Sequence, residues 1–239
     1  GTSDGADIAA YERIEVIKGP SGFYGSGSLG GFINLVRKKP QEEFDAKISA
    51  QAGSFSTYRT EMDVTGALSG DNLLGRTVLA YENSDSFVND IGAESILVAP
   101  SLTTVISDKT RILFQLLYQQ EEFNPNPGVP LGLEGDELTT IDGWDSRREL
   151  YVNTGEKSSR DLKELSITVD HEFSDNWLLS VLLHGSQNDR DVVNYTVGIT
   201  PAIALFVSNK DTWETDTWSS EMRIQGAFQA FNQEHQVLF

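Results

Sequence analysis

Four stretches of this chain change polarity at every second residue, and that period decides the fold class. In "DAKISAQAG", Ala46, Ile48, Ala50 and Ala52 fall on one side and Lys47, Ser49 and Gln51 on the other. "TRILFQLLYQQ" sets Ile112, Phe114, Leu116 and Tyr118 against Arg111, Gln115 and Gln119. "KELSITVDHEF" sets Leu165, Ile167, Val169, His171 and Phe173 against Glu164, Ser166, Thr168, Asp170 and Glu172. "TWSSEMRIQGAF" sets Trp218, Met222, Ile224 and Phe228 against Glu221, Arg223 and Gln225. Successive side chains of a strand point to opposite faces, so this period predicts strands with one apolar and one polar face. Repeated over segments of about ten residues, it is the mark of a barrel that crosses a membrane with strands.

The connections carry the same message. Short turns are expected at "LSGDNLLG", "ISDKT", "FSDNW" and "QAFNQEH". Between them lie longer ones: "SDSFVNDIGAE", the run from Glu121 to Lys157, and the run from Asn188 to Thr217; "GSFST" is the brief exception. Tight turns on one rim and long loops on the other are the asymmetry of an outer-membrane barrel. A soluble sandwich has no reason to gather its long loops at one end. The pattern predicts an all-β chain of about nine strands, an incomplete barrel, since closed bacterial barrels have even strand numbers.

Composition enters as a set of exclusions. The formal net charge is −18, which argues against nucleic acid, because no basic patch is available to neutralise phosphates. With no cysteine and only three scattered histidines (His171, His184 and His235), thiolate chemistry and a histidine-rich metal site are not expected. No apolar run approaches the roughly 18 residues of a membrane-spanning helix. The chain opens at Gly1 without methionine and stops inside "HQVLF", which reads as a piece of a longer protein.

The stretch "YGSGSLGGFINLV" offers a rival. Gly25, Gly27 and Gly30 fit G-x-G-x-x-G, and Asp45 lies about 20 residues past Gly25, as a dinucleotide-binding fingerprint asks. That reading needs a helix opening directly after the glycines. Instead "FINLVRKKP" follows, rich in β-branched residues and ended by Pro40, so a tight turn between two strands is expected. Taken whole, "YERIEVIKGPSGFYGSGSLGGFINLVRKKP", from Tyr11 to Pro40, closely resembles the end of the plug domain in TonB-dependent outer-membrane receptors of the ferric-siderophore type. The barrel stretches "APSLTTVISDKTRILFQLLYQQEE" and "LSITVDHEFSDNWLLSVLLHGSQND" resemble the family's early hairpins more loosely, and Gly128, Val129 and Pro130 match a "GVP" run that opens its long third extracellular loop.

The resemblance implies residues 1–40 as the C-terminal part of the plug and 41–239 as the N-terminal part of a partial transmembrane antiparallel barrel of about 22 strands, the plugged size of outer-membrane transporters. It implies a receptor of the Gram-negative cell outer membrane, embedded in lipid, that takes up ferric siderophores, is driven by TonB with ExbB and ExbD, and works neither as an enzyme nor with a resident cofactor. From the family's habit of holding chelates with loop aromatics and arginines, Phe123, Trp144, Arg147, Arg148 and Tyr151 are the expected ligand-binding residues. Arg13 and Lys18, on the plug strand, are expected to pair with wall carboxylates, since an enclosed charge needs a partner. Where some hydroxamate-siderophore receptors carry aromatics ahead of "LP", this chain has Pro125, Asn126, Pro127 and Val129, which leaves the chelate class open. Cobalamin, haem or a glycan are the alternative solutes, and a soluble carbohydrate-binding β-protein is the alternative from another class.

Overall fold

The computed structural model describes residues 6–19, 30–70, 72–125, 131–134, 137–140, 155–200, 203–231 and 233–238. A single 3-10 turn, Ile8–Ala10, leads into a hairpin of β1 (Tyr11–Lys18) and β2 (Gly31–Arg37). Then come β3 (Asp45–Ala52), β4 (Tyr58–Ser69), β5 (Leu73–Asp85), β6 (Gly92–Ser107) and β7 (Thr110–Phe123). Two short strands, β8 (Leu131–Glu134) and β9 (Glu137–Thr140), pair with each other inside the long connection. The chain ends with β10 (Ser158–Ser174), β11 (Trp177–Thr200), β12 (Ile203–Ala230) and β13 (Gln233–Leu238). Nine of these strands form one antiparallel sheet in the order β13-β12-β11-β10-β7-β6-β5-β4-β3. Each wall strand pairs with the next wall strand in the chain, β7 with β10 across the β8–β9 insertion, the meander of an up-and-down barrel wall.

The hairpin settles the glycine question within reach. β1 and β2 run antiparallel, with Lys18 opposite Gly31, and the strand opens at Gly31, where a dinucleotide fold needs a helix. Gly25 and Gly27 lie outside the described residues. Gly31 has its own reason to be glycine: its φ is +116°, and a Cβ there would overlap the carbonyl oxygen of Ile17. Gly31→Ala is expected to cost about 1–3 kcal/mol of hairpin stability, seen in the full-length receptor as roughly tenfold or more faster amide exchange at Phe32, opposite Ile17.

The faces follow the alternation. On β7 Phe114 and Leu116 are 37% and 50% exposed on the outward side, while Gln115 and Gln119 are 8% and 6% exposed on the inward side. The inward face is not simply hydrated, however. Leu113 and Leu117 share it and are buried, Leu117 in one cluster with Ala9 and Ala10 of the 3-10 turn. Along the outward side of β4, Tyr58 and Leu68 mark the ends of an apolar band. Ten residues make about 33 Å of strand, which at the roughly 40° tilt of such barrels stands about 25 Å tall, the height of a membrane-facing band. Two tryptophans complete that surface: Trp218 lies over Gly185 on the neighbouring strand, and Trp177 over Gly226, so that a Cβ on either glycine would overlap the indole ring.

The tight turns fall where expected, between β4 and β5, β6 and β7, β10 and β11, and β12 and β13. Two long connections are shorter than expected. β5 and β6 reach Asp85 and Gly92, leaving a small loop. The run from Asn188 to Thr217 is not a loop: β11 and β12 stay paired from Trp177↔Gly226 to Thr200↔Ile203. β10 stops pairing at Ser159↔Asp191, so the last pairs form a two-stranded hairpin that runs on past the end of β10. Backbone hydrogen bonds continue above the apolar band, where alternation gives no outward apolar face to recognise.

Candidate functional site

The functional region is the seam between the N-terminal segment and the inner face of the sheet. At its upper end Asp7 caps the 3-10 turn by accepting from the Ala9 amide at 2.9 Å, while its own amide donates to Gln119 Oε1 at 3.0 Å. Its carboxylate accepts from both terminal nitrogens of Arg59, at 2.7 and 3.1 Å, a forked pair that suits guanidinium geometry. Arg59 also donates to Glu82 at 2.8 Å and to Glu61 at 2.6 Å. Arg59, Glu61 and Asp63 lie two apart on β4, all turned inward, which is the pleat at work. The Asp7 and Arg59 side chains are only 8% and 16% exposed, while Glu61 and Glu82 keep 33% and 35%, so the cluster is partly desolvated.

Below it an apolar patch takes over. Ala9 and Ala10 pack with Val78, Ala80, Leu97, Ala99, Leu117 and Leu162, with Tyr11 against the edge. Small side chains on the turn let its backbone approach the wall closely. Burial first, and then the Glu164 carboxylate, hold the Tyr11 hydroxyl above its ordinary pKa. Arg37 reaches Glu164 at 3.9 Å and donates to the Leu116 carbonyl.

At the lower end Lys38 Nζ donates to Asp63 Oδ2 at 2.8 Å, and Arg76 grips the same carboxylate at 2.8 and 2.7 Å. Arg76 also donates to the Lys39 carbonyl, and Gln115 to the Lys38 carbonyl, each at 3.0 Å. The Gln41 amide donates to Thr65 Oγ1 at 2.9 Å. The seam is thus a ladder of charged and backbone contacts around an apolar rung.

The residues singled out from sequence fare unevenly. Arg13 pairs with Glu15 at 2.6 Å and Glu12 at 3.8 Å on its own strand, not with a wall carboxylate, and Lys18 is exposed. The cations that meet the wall among the described residues are Arg37 and Lys38, the basic end of β2 and its continuation. Phe123, at the end of β7, lines a cleft of about 440 Å³ with Ile91, Glu121, Ser158 and Val193. Trp144, Arg147, Arg148 and Tyr151, with the Gly128 to Pro130 match, lie outside the described residues. Among those residues no group of three or more His, Cys, Asp or Glu is arranged to hold a metal, and no helix is long and apolar enough to cross a membrane.

An antiparallel wall with an outward apolar band and a lumen filled by the chain's own N-terminal segment defines a plugged outer-membrane barrel. Comparison with known proteins narrows the class. No family model matches the chain. It is 30% identical over 257 residues to the ferripyoverdine receptor of Pseudomonas aeruginosa, covering 98% of this chain and 29% of that protein. It is also 30% identical over 209 residues to the ferrichrome outer membrane transporter/phage receptor of Escherichia coli, covering 83% of this chain and 27% of that protein. The crystal structure of the ferripyoverdine receptor of the outer membrane of Pseudomonas aeruginosa, bound to ferripyoverdine, matches with a TM-score of 0.87 at 29% identity, over 98% of this chain and 32% of that one. The chain belongs to the TonB-dependent outer-membrane receptors of the siderophore type. It spans less than a third of the length of these relatives.

Proposed function

We propose that residues 1–40 are the end of a plug and residues 41–239 the first wall strands of a receptor that captures a ferric siderophore outside the cell and admits it to the periplasm. The work is binding and gating rather than covalent chemistry, the iron is cargo, and no resident cofactor takes part. TonB with ExbB and ExbD acts on the whole receptor, and lipid surrounds the wall. The observation that carries this reading is that the likeness to the ferripyoverdine receptor runs through plug segment and wall together, over 98% of the chain.

The ligand contacts are assigned to Phe123 and, beyond it in the same connection, Trp144, Arg147, Arg148 and Tyr151. Amphipathic aromatics stack on chelator rings, and guanidinium groups fork onto anionic oxygens. Arg13 and Lys18 are assigned to the part of the wall beyond this chain. Deleting residues 126–154 from the full-length receptor removes no strand pairing of the nine-stranded wall. The expected result is binding of ferripyoverdine weaker by roughly tenfold or more, about 1.4 kcal/mol, with outer-membrane insertion unchanged. Unchanged affinity in a properly inserted variant would place the site elsewhere.

A further inference from the structure

We infer that Pro100 opens a guanidinium site in the wall by leaving one backbone carbonyl of β7 without its ladder partner, and that Arg37 is the occupant. β6 is a central strand, flanked by β5 and β7. Proline is a rare resident of such a strand, because it has no N–H to give to the ladder. β6 and β7 keep one register on either side of it, with Val98 opposite Tyr118 and Ser101 opposite Gln115. The two rungs between, Ala99 with Leu117 and Pro100 with Leu116, are missing from this pair of fully described strands. One absent donor accounts for both. In an antiparallel ladder the Leu116 carbonyl would accept from the amide at position 100, and that bond defines both rungs.

The carbonyl so freed is taken from the lumen side, where Arg37 donates to it through Nη2. Arg37 ends β2, opposite Tyr11, and its side chain is 12% exposed. Its other terminal nitrogen, Nη1, lies 3.9 Å from the Glu164 carboxylate and makes no hydrogen bond. The carboxylate therefore supplies charge, and the carbonyl supplies the directed bond. The next residue docks on the same stretch of β7, with the Gln115 side-chain amide donating to the Lys38 carbonyl at 3.0 Å. The Lys38 amide donates in turn to the Ala10 carbonyl at 3.0 Å, which ties this contact to the buried turn. A bond given up within the wall is thus replaced by one between two separate elements. With lipid on the outward side and the packed segment on the inward side, a carbonyl lacking a donor finds little water. Stranding it is the costly state, so the proline and the arginine depend on each other.

A double-mutant cycle in the full-length receptor tests that dependence, read by maleimide labelling of a thiol introduced as Ala9→Cys. Arg37→Ala is expected to speed labelling roughly tenfold, because it strands the Leu116 carbonyl. In a Pro100→Ala background the same change should cost less than about threefold, since the amide restored at position 100 now serves that carbonyl. Arg37→Ala removes the Glu164 contact equally in both backgrounds, so the difference reports the carbonyl alone. Equal acceleration in the two backgrounds, or none in either, would overturn the inference. Amide exchange in Pro100→Ala alone gives a second reading that needs no thiol. The restored amide should exchange as slowly as that of Leu102, which stands opposite Phe114 on the intact ladder. Ready exchange at position 100 would mean that no carbonyl awaits it, and would overturn the inference as well.

Discussion

Arg59→Ala, introduced into the full-length receptor, is expected to loosen the upper end of the seam more than any other single change described. The substitution removes the one cation that three carboxylates share, leaving Asp7, Glu61 and Glu82 facing each other. Breaking a buried pair by removing one partner costs about 3–5 kcal/mol, and the partial exposure of Glu61 and Glu82 brings the expectation to the lower end. About 3 kcal/mol raises the opened population roughly a hundredfold. A thiol at Ala9, buried against the wall, reports it as faster labelling. Arg59→Lys separates charge from geometry. Lysine keeps the charge but cannot fork onto Asp7 while bonding Glu82 and Glu61, so an intermediate rate is expected. Wild-type labelling in Arg59→Ala would show that the cluster is surface ornament.

The second large effect lies at the other end. Asp63→Ala leaves Lys38 and Arg76 without the carboxylate they share, and Arg76 is only 10% exposed. Two like charges then sit close together in a dry interface, and the expected cost is again about 3 kcal/mol. The symptom differs, because Lys38 and Gln41 precede β3: amide exchange should quicken at Gln41 and Ala67, while Ala9 stays protected. Protection unchanged at both positions would mean that the backbone bonds alone hold this end. Protection lost at both ends together would mean that the segment detaches as one unit.

The wall was legible in the sequence because its physics is repetitive. A lipid-facing strand must alternate, and the alternation from Ile112 to Tyr118 and from Leu165 to Phe173 assigned faces that the structure repeats. The hairpin above Asp191 was not legible, since outside the apolar band nothing forces a period of two. Half of the seam was legible as well. The basic end of β2 stood out within the plug motif, yet the partners were sought for Arg13 and Lys18. The missed signal was Arg59, Glu61 and Asp63 at alternate positions of one strand, charges on the face that a barrel encloses. A charge on an inward face asks for a partner, and pairwise partners across separate elements leave no local trace. Asp7 was hidden for the same reason: as a helix cap it explains itself, and nothing local announces its second role.

The two indoles laid over glycines give this wall an optical property. Trp177 and Trp218 stand on adjacent strands eight residues apart in register, about 27 Å along the strand and roughly 20 Å in height at a 40° tilt. Each ring lies against the backbone of the glycine opposite it, on the outward face. With the other tryptophans replaced by phenylalanine, Trp144 and Trp213 among them, bromine placed at chosen carbons of the surrounding acyl chains quenches these two emitters at different depths, and the wall reports its own immersion as it enters a bilayer.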